Sequence, residues 1–240
     1  MRKSRHAVIY RSRTHLLLTI FFVALPPLFL LIFSRVSQVA ARPLFADFFV
    51  SFLRLAIAYA IAAIIGWSLA AVFYHGRRAT VALPFFDVLQ SFPTYAALPI
   101  ATLAFGPSNT IVIFFLTFAI IWPIFFSVVS QLRLIRHDWE EAVAISQLSG
   151  FSYLRFFLWP ASMPGLVTGS IVGLGDGWEA LVATEIIVHV KNGLGNFFQS
   201  FSTHTTITAF GILGLLIFIF SINRLIWLPL LERSRTLFEE

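Results

Sequence analysis

The feature that most constrains this chain is a series of long apolar runs, each about as long as a lipid bilayer is thick. A membrane-spanning helix needs about 20 predominantly apolar residues, and only helices or closed barrels satisfy their backbone groups within lipid. The sequence therefore predicts an all-α integral membrane protein. We predict six spans, at residues 16–33, 48–74, 83–105, 110–129, 164–190 and 207–223.

Composition agrees with this class. Hydrophobic residues make up 58% of the 240 residues and charged residues 12%, whereas soluble domains carry about 25% charge. The net charge of +6 is scattered over the flanks of the spans and forms no stripe, which argues against a nucleic-acid partner. The chain has no cysteine, which excludes disulfides and thiolate metal sites.

Basic residues predict the orientation. Residues 1–15 form a basic N-terminus. When both termini are cytoplasmic, 13 of the 17 basic residues, including those of the loop 131–163 and the tail 232–240, fall on the cytoplasmic side. Residues 16–47 would then hold the first span and an external loop. A cleaved signal peptide is the alternative, since Val39–Ala41 resembles a cleavage site, but the apolar run exceeds the usual 7 to 15 residues. Arg54, near the start of the second span, is expected to snorkel to the interface.

The third run, 83–105, contains Pro84, Pro93 and Pro99. An internal proline removes a helical hydrogen bond and clashes with the preceding turn. A bent helix that packs against protein is therefore predicted for this run.

The loop between the fourth and fifth spans is polar and helix-forming. Asp138 and Glu141 have the spacing of a capping box, and Glu140 adds to the acidic first turn, so a helix is predicted over 139–148. Ser149 would cap a second short helix that ends before Pro160. Two such helices at right angles would form a compact projection to which a partner protein could bind.

This loop resembles the EAA loop of the permease subunits of ATP-binding-cassette importers. Glu141-Ala142-Val143, Gln147 and Leu158-Trp159-Pro160 follow that pattern, with Val143, Gln147 and Trp159 as departures. Gln147 stands where the motif has glycine. The resemblance runs from about Leu83 to the C-terminus and is strongest to permeases of the nitrate, sulfonate, taurine and bicarbonate group.

The resemblance implies a type I permease domain over residues 48–231, with the loop docked on an ATPase subunit. The residues it assigns to ATPase coupling are Asp138, Glu140, Glu141, Ala142, Gln147, Ser149, Gly150 and Pro160. It also implies ATPase subunits, an extracytoplasmic binding protein and a second permease copy or a paralogue as partners, in the inner membrane of a prokaryote. A small anion is the solute it suggests, with a thiamine precursor as the alternative.

Enzyme motifs are missing from the sequence. No phosphate-binding loop occurs, so a partner would have to supply ATP hydrolysis, and no Gly-x-Ser-x-Gly setting supports a hydrolase. The six histidines show no paired spacing, and we predict neither a metal nor a cofactor.

The fifth span combines glycines at four-residue intervals with three carboxylates. The glycines suit close helix packing, or the translocation path, or both on two faces. Asp176 and Glu179 fall on one side of a helix and Glu185 nearly opposite. We predict that all three belong to the translocation path, with Glu185 holding its outer mouth by hydrogen bonds to a neighbouring helix. The acidic groups are expected either to be neutralised by Arg54 or another basic side chain, or to act as gating elements. A secondary or proton-coupled transporter that uses these carboxylates is the alternative, although no internal repeat supports it.

Overall fold

The structure, a computed structural model, describes the backbone of residues 3–135, 139, 141, 143 and 145–239, and the side chains of residues 17–135, 139, 141, 143 and 145–234. Within these ranges every regular element is a helix, as predicted. The α-helices are α1 (Lys3–Ser37), α2 (Ala41–Phe73), α3 (Gly76–Gln90), α4 (Thr94–Phe105), α5 (Asn109–Arg133), α6 (Gly150–Tyr153), α7 (Trp159–Val188), α8 (Leu194–Ser200), α9 (Thr205–Ile222) and α10 (Leu228–Glu239). π-helical turns occupy Leu154–Leu158 and Asn223–Trp227.

Helices α2, α5 and α7 form the centre of the molecule, and α1 packs against α9. The closest approach is between α5 and α7, because the glycines of α7 face α5. A Cβ placed on Gly169 would lie 2.7 Å from the Cα of Ile124, and one on Gly165 would lie 2.7 Å from the carbonyl oxygen of Ser127. Small residues at this spacing let two backbones meet, so the packing role predicted for the glycine row is confirmed.

Four helical stretches are long and apolar enough to cross a membrane, and a fifth is added if a bent pair counts as one span. They are Leu17–Ser37, Ala41–Phe73, Asn109–Arg133 and Thr205–Ser234, with the pair Gly76–Gln90 and Thr94–Phe105. Helix α7 falls outside this set, because its glycines and carboxylates lower its hydropathy. The six-span topology therefore stays a prediction for α7.

The bend predicted for the third run is present. Helices α3 and α4 meet at an angle of 72°. The break lies at Ser91–Pro93, whereas Pro84 and Pro99 remain inside helices. Of the three prolines, Pro93 stands directly at the break, and the Thr94 N–H bonds to the Phe92 carbonyl in a tight turn at 2.7 Å.

The external loop predicted up to residue 47 is wrong. Helix α1 ends at Ser37 and α2 begins at Ala41, so only residues 38–40 connect them. Gln38 makes the turn with a φ of 57°, and the Ser34 hydroxyl donates to the Val39 carbonyl at 2.6 Å. Pro43 does not delay α2, because proline in the first turn lacks an N–H that would be unpaired there anyway.

The short helix predicted to end before Pro160 is also wrong. The chain from Gly150 to Val188 is helical throughout, with a π-helical turn at Leu154–Leu158 in which the Trp159 N–H donates to the Leu154 carbonyl. In an α-helix the proline ring would clash with the carbonyl four residues earlier. The wider turn gives that carbonyl room, so the helix continues through the proline.

The same arrangement recurs near the C-terminus. The π-helical turn Asn223–Trp227 ends two residues before Pro229, as Leu158 ends two before Pro160, and the Leu228 N–H donates to the Asn223 carbonyl. The helix therefore extends beyond residue 223, where the predicted sixth span ends. The helix continues through this turn into α10.

Candidate functional site

Glu185 and Arg54 form a buried ion pair between α7 and α2. Glu185 Oε1 lies 2.5 Å from Arg54 Nη1, and the two residues are 0% and 6% exposed. Ser51, one turn before Arg54, donates its hydroxyl to both carboxylate oxygens at 2.8 Å. Removing one member of a buried pair leaves the other charge without compensation, which makes this contact structurally sensitive.

The other donors of the Arg54 guanidinium bind α5 and the loop that follows α7. Nε and Nη2 donate to Asn109 Oδ1 at 3.1 and 2.8 Å, and Nη1 donates to the Asn192 carbonyl at 2.7 Å. The prediction that Arg54 snorkels to the interface is wrong. A planar group with five donors is satisfied here by acceptors from three segments of the protein.

The turn 192–195 contacts the ion pair through its backbone. Three consecutive N–H groups donate to side chains: Gly193 to Asp47 Oδ1 at 2.8 Å, Leu194 to Ser51 Oγ at 2.8 Å and Gly195 to Glu185 Oε2 at 2.9 Å. Gly193 has a φ of 124°, and a Cβ there would lie 2.6 Å from Arg54 Nη1. The glycine therefore lets the backbone approach the buried charges.

On another face of α7, a polar cavity of about 350 Å³ lies between this helix, α5 and the break between α3 and α4. Asp176 and Glu179 line it from α7. The other polar and aromatic side chains that line the cavity are Gln90, Thr94 and Tyr95 from the break, and Phe118 and Trp122 from α5. Broken helices at membrane depth are tolerated where they line such a cavity.

The three carboxylates of α7 are thus divided between two environments. Asp176 and Glu179 are exposed to the cavity, whereas Glu185 is buried against α2. This is the division expected from positions three and nine residues apart on one helix. Their part in a translocation path stays a prediction.

The coupling residues predicted from the loop are only partly within the described residues. Asp138, Glu140 and Ala142 lie outside them, whereas Glu141 is helical, together with Trp139, Val143 and Ile145. Pro160 lies in the first turn of α7.

The end of this loop has the backbone expected of glycine. Gln147 has a φ of 51° and Gly150 one of 57°, both left-handed. Ser149 occupies the N-cap of α6 in extended conformation, but its side chain makes no capping hydrogen bond. The departure at Gln147 therefore places a side chain where glycine would adopt the backbone without strain.

Polar contacts tie the loop end to the end of α2. The hydroxyls of Tyr74 and Tyr153 are 3.0 Å apart, and Arg133 Nε donates to the Tyr74 carbonyl at 2.9 Å. Further along, Trp67 Nε1 donates to Ser162 Oγ at 2.8 Å. These contacts join α6 and the first turn of α7 to the C-terminal part of α2.

Sequence reasoning missed Asp47, Ser51 and Asn109, and it offered Arg54 as a counter-charge for the carboxylates of the fifth span without assigning it to Glu185. One signal was available. An ionisable group inside a membrane span usually faces a partner, and Arg54 and Glu185 are opposite charges in two different spans. Their identity as a pair depends on which spans are adjacent, which the sequence alone does not state.

Within the described part of the chain, no group of three histidine, aspartate or glutamate side chains is placed to hold a metal ion.

Comparison with known proteins gives a family match over most of the chain. The family described as "Binding-protein-dependent transport system inner membrane component" matches residues 62–235. This range includes the last third of α2 and everything from α3 to the greater part of α10. It therefore contains the cavity, the loop and one side of the ion pair.

Individual relatives are permeases. The chain is 31% identical over 157 residues to the bicarbonate transport system permease protein CmpB of Synechococcus elongatus, which covers 65% of this chain and 56% of the relative. It is 32% identical over 182 residues to the nitrate import permease protein NrtB of Leptolyngbya laminosa, and this match covers 72% of this chain and 65% of the relative. It is 31% identical over 117 residues to the taurine transport system permease protein TauC of Escherichia coli, and this match covers 49% of this chain and 42% of the relative.

The chain spans about half the length of the curated relatives it matches first. The family match itself extends through α5 and α7, the helices that carry the glycine packing and the carboxylates. The chain belongs to the family of binding-protein-dependent transport system inner membrane components.

Proposed function

We propose that this chain is the membrane-spanning permease subunit of an ATP-driven importer. The observation that carries the proposal is the polar cavity between α7 and the broken pair α3–α4, in a protein with four described helical stretches long and apolar enough to cross a membrane. Family membership supports the same role. The secondary transporter remains less favoured, because the family match points to a system with a separate binding protein.

The assembly we propose has two permease copies, or one copy with a paralogue, and two ATPase subunits. The sequence holds no phosphate-binding loop, so ATP hydrolysis falls to the partner. An extracytoplasmic binding protein would deliver the solute. The relatives are named for bicarbonate, nitrate and taurine, and we propose a small polar solute of that size, such as a small anion or taurine.

Transport would follow an alternating-access cycle, in which closure of the ATPases moves the loop 131–163 and turns the cavity outward. The contacts of Tyr153 with Tyr74, and of Ser162 with Trp67, support this route. They connect the end of the loop, at Tyr153 and Ser162, to the C-terminal part of α2 by hydrogen bonds.

The first test is whether an ATPase subunit co-purifies with the chain from native membranes. The second test is whether Glu141→Lys uncouples the ATPase from solute uptake. We expect this variant to insert at normal levels but to lose solute uptake. Reversing a charge in the first turn of a helix costs about 0.3–1 kcal/mol, which is too little to unfold the spans. Uptake of radiolabelled taurine, nitrate and bicarbonate into cells is the measurement.

Glu232→Lys is the matched control, because it reverses an exposed carboxylate of α10 outside the loop. It should transport normally. If Glu141→Lys retains its ATPase and full uptake, Glu141 has no part in coupling.

The topology of the proposal is tested by cysteine labelling, since the chain has no cysteine of its own. Single cysteines at Ser149 and Ser234 should react with an impermeant thiol reagent only from the cytoplasmic side. A cysteine at Asn192 should react only from outside. Labelling of the Ser149 site from outside would reverse the assignment of the loop.

A further inference from the structure

The polar cavity beside α7 carries negative charge only. Asp176 and Glu179 line it, and the remaining polar side chains, Gln90, Thr94 and Tyr95, are neutral. Among the residues that the structure describes, none that lines the cavity is basic. Carboxylates that line a narrow path select for cations, as acidic rings do in channels.

Arg54 does not neutralise these carboxylates. All three of its guanidinium nitrogens donate to other acceptors, namely Glu185, Asn109 and the Asn192 carbonyl. The basic side chain that the sequence offers as a counter-charge inside the second span is therefore committed to another face of α7. The field inside the cavity remains negative.

The walls of the cavity are aromatic. Tyr95, Phe118 and Trp122 line it, and the rings of Phe118 and Trp122 meet edge to face with centroids 5.3 Å apart. Aromatic faces attract ammonium groups.

We infer that the solute passing this cavity carries a protonated amine, as a cation or as a zwitterion whose ammonium group faces Asp176 and Glu179. This inference rests on the proposed permease function. The carboxylates and aromatic faces would hold the ammonium group. A simple anion such as nitrate or bicarbonate would meet two like charges and no cation.

The charge preference of the cavity can be measured without knowing the solute. Two variants of the full chain, Thr94→Cys and Gln90→Cys, each place a single thiol at the wall of the cavity. The protein is purified in detergent, so that a reagent has access from both membrane sides of the protein. Each thiol is reacted with the trimethylammonium-ethyl and the sulfonatoethyl methanethiosulfonate reagents. The reaction rate with the cationic reagent is divided by the rate with the anionic reagent. This ratio is then divided by the same ratio for a free thiol in solution.

We expect the cationic reagent to be favoured by at least about tenfold, the lower end of the effect that charged clefts exert on local concentration. Asp176→Asn with Glu179→Gln should bring the ratio close to one. Thr80→Cys is the control, because it lines a different cavity between α3 and the end of α5, and its ratio should not change with the double substitution.

A ratio near one, a preference for the anionic reagent, or no reaction at either wall position would overturn the inference. Labelling requires neither ATPase nor transport. A failure here therefore rejects the solute class alone, whereas failure of the ATPase to co-purify would reject the permease function.

Discussion

Glu185→Gln should destabilise the folded chain by about 3–5 kcal/mol, the cost of breaking a buried ion pair by removing one partner. The amide keeps the shape of the side chain but leaves the Arg54 guanidinium, 6% exposed, without its counter-charge. Thermal unfolding of the purified protein in detergent, followed by tryptophan fluorescence, measures the loss. The turn 192–195 should become accessible to protease in the same variant, because Gly195 donates to Glu185.

A matched pair of arginine variants separates burial from charge. Arg54→Met should be as damaging as Glu185→Gln, whereas Arg42→Met, on the same helix but exposed, should unfold at the wild-type temperature. Arg54→Met combined with Glu185→Leu should recover part of the loss, since neither charge is then buried alone. Equal stability of the Arg54 and Arg42 variants would contradict the buried-pair description.

Gly169→Ala is expected to separate α5 from α7. The new Cβ would lie 2.7 Å from the Cα of Ile124 and 2.8 Å from the Pro123 carbonyl oxygen, and both are backbone atoms that cannot rotate away. Overpacking of this kind costs about 1–3 kcal/mol. The same unfolding measurement, together with the yield of monodisperse protein, gives the result.

Gly175→Ala provides the control within the same helix. No atom lies within 4 Å of a Cβ at that position, and alanine is favoured over glycine in a helix by up to about 1 kcal/mol. This variant should be as stable as the wild type or slightly more so. If both alanine variants behave alike, the glycine row does not set the distance between α5 and α7.

Much of the architecture could be predicted because it depends on local pattern. Apolar runs predict helices in lipid, glycines at four-residue intervals predict a close helix contact, and a proline after Gln90-Ser91 predicts a bend. The division of the carboxylates on α7 also follows from helix geometry alone, since Asp176 and Glu179 are three residues apart.

What could not be predicted depends on the neighbours of each segment. From the sequence, Arg54 near the start of a span is compatible with a position at the membrane interface. The structure shows instead that Glu185, Asn109 and the Asn192 carbonyl surround its guanidinium group. A proline inside a helix usually marks its end, and only the packing of the helix on both sides of Pro160 decides in favour of continuity. The motif glycine position is informative in another way, because Gln147 keeps the left-handed backbone of the residue it replaces.

The π-helical turn at Leu154–Leu158 has an evolutionary consequence. Such a turn holds one residue more than an α-helical turn, so deleting a single residue from it would leave an ordinary α-helical turn with α6 still in phase with α7. Every contact after Trp159, including the glycine row and both groups of carboxylates, would keep its phase. A change of one residue in the length of the chain can therefore be absorbed at this point while the interior of the protein stays as it is.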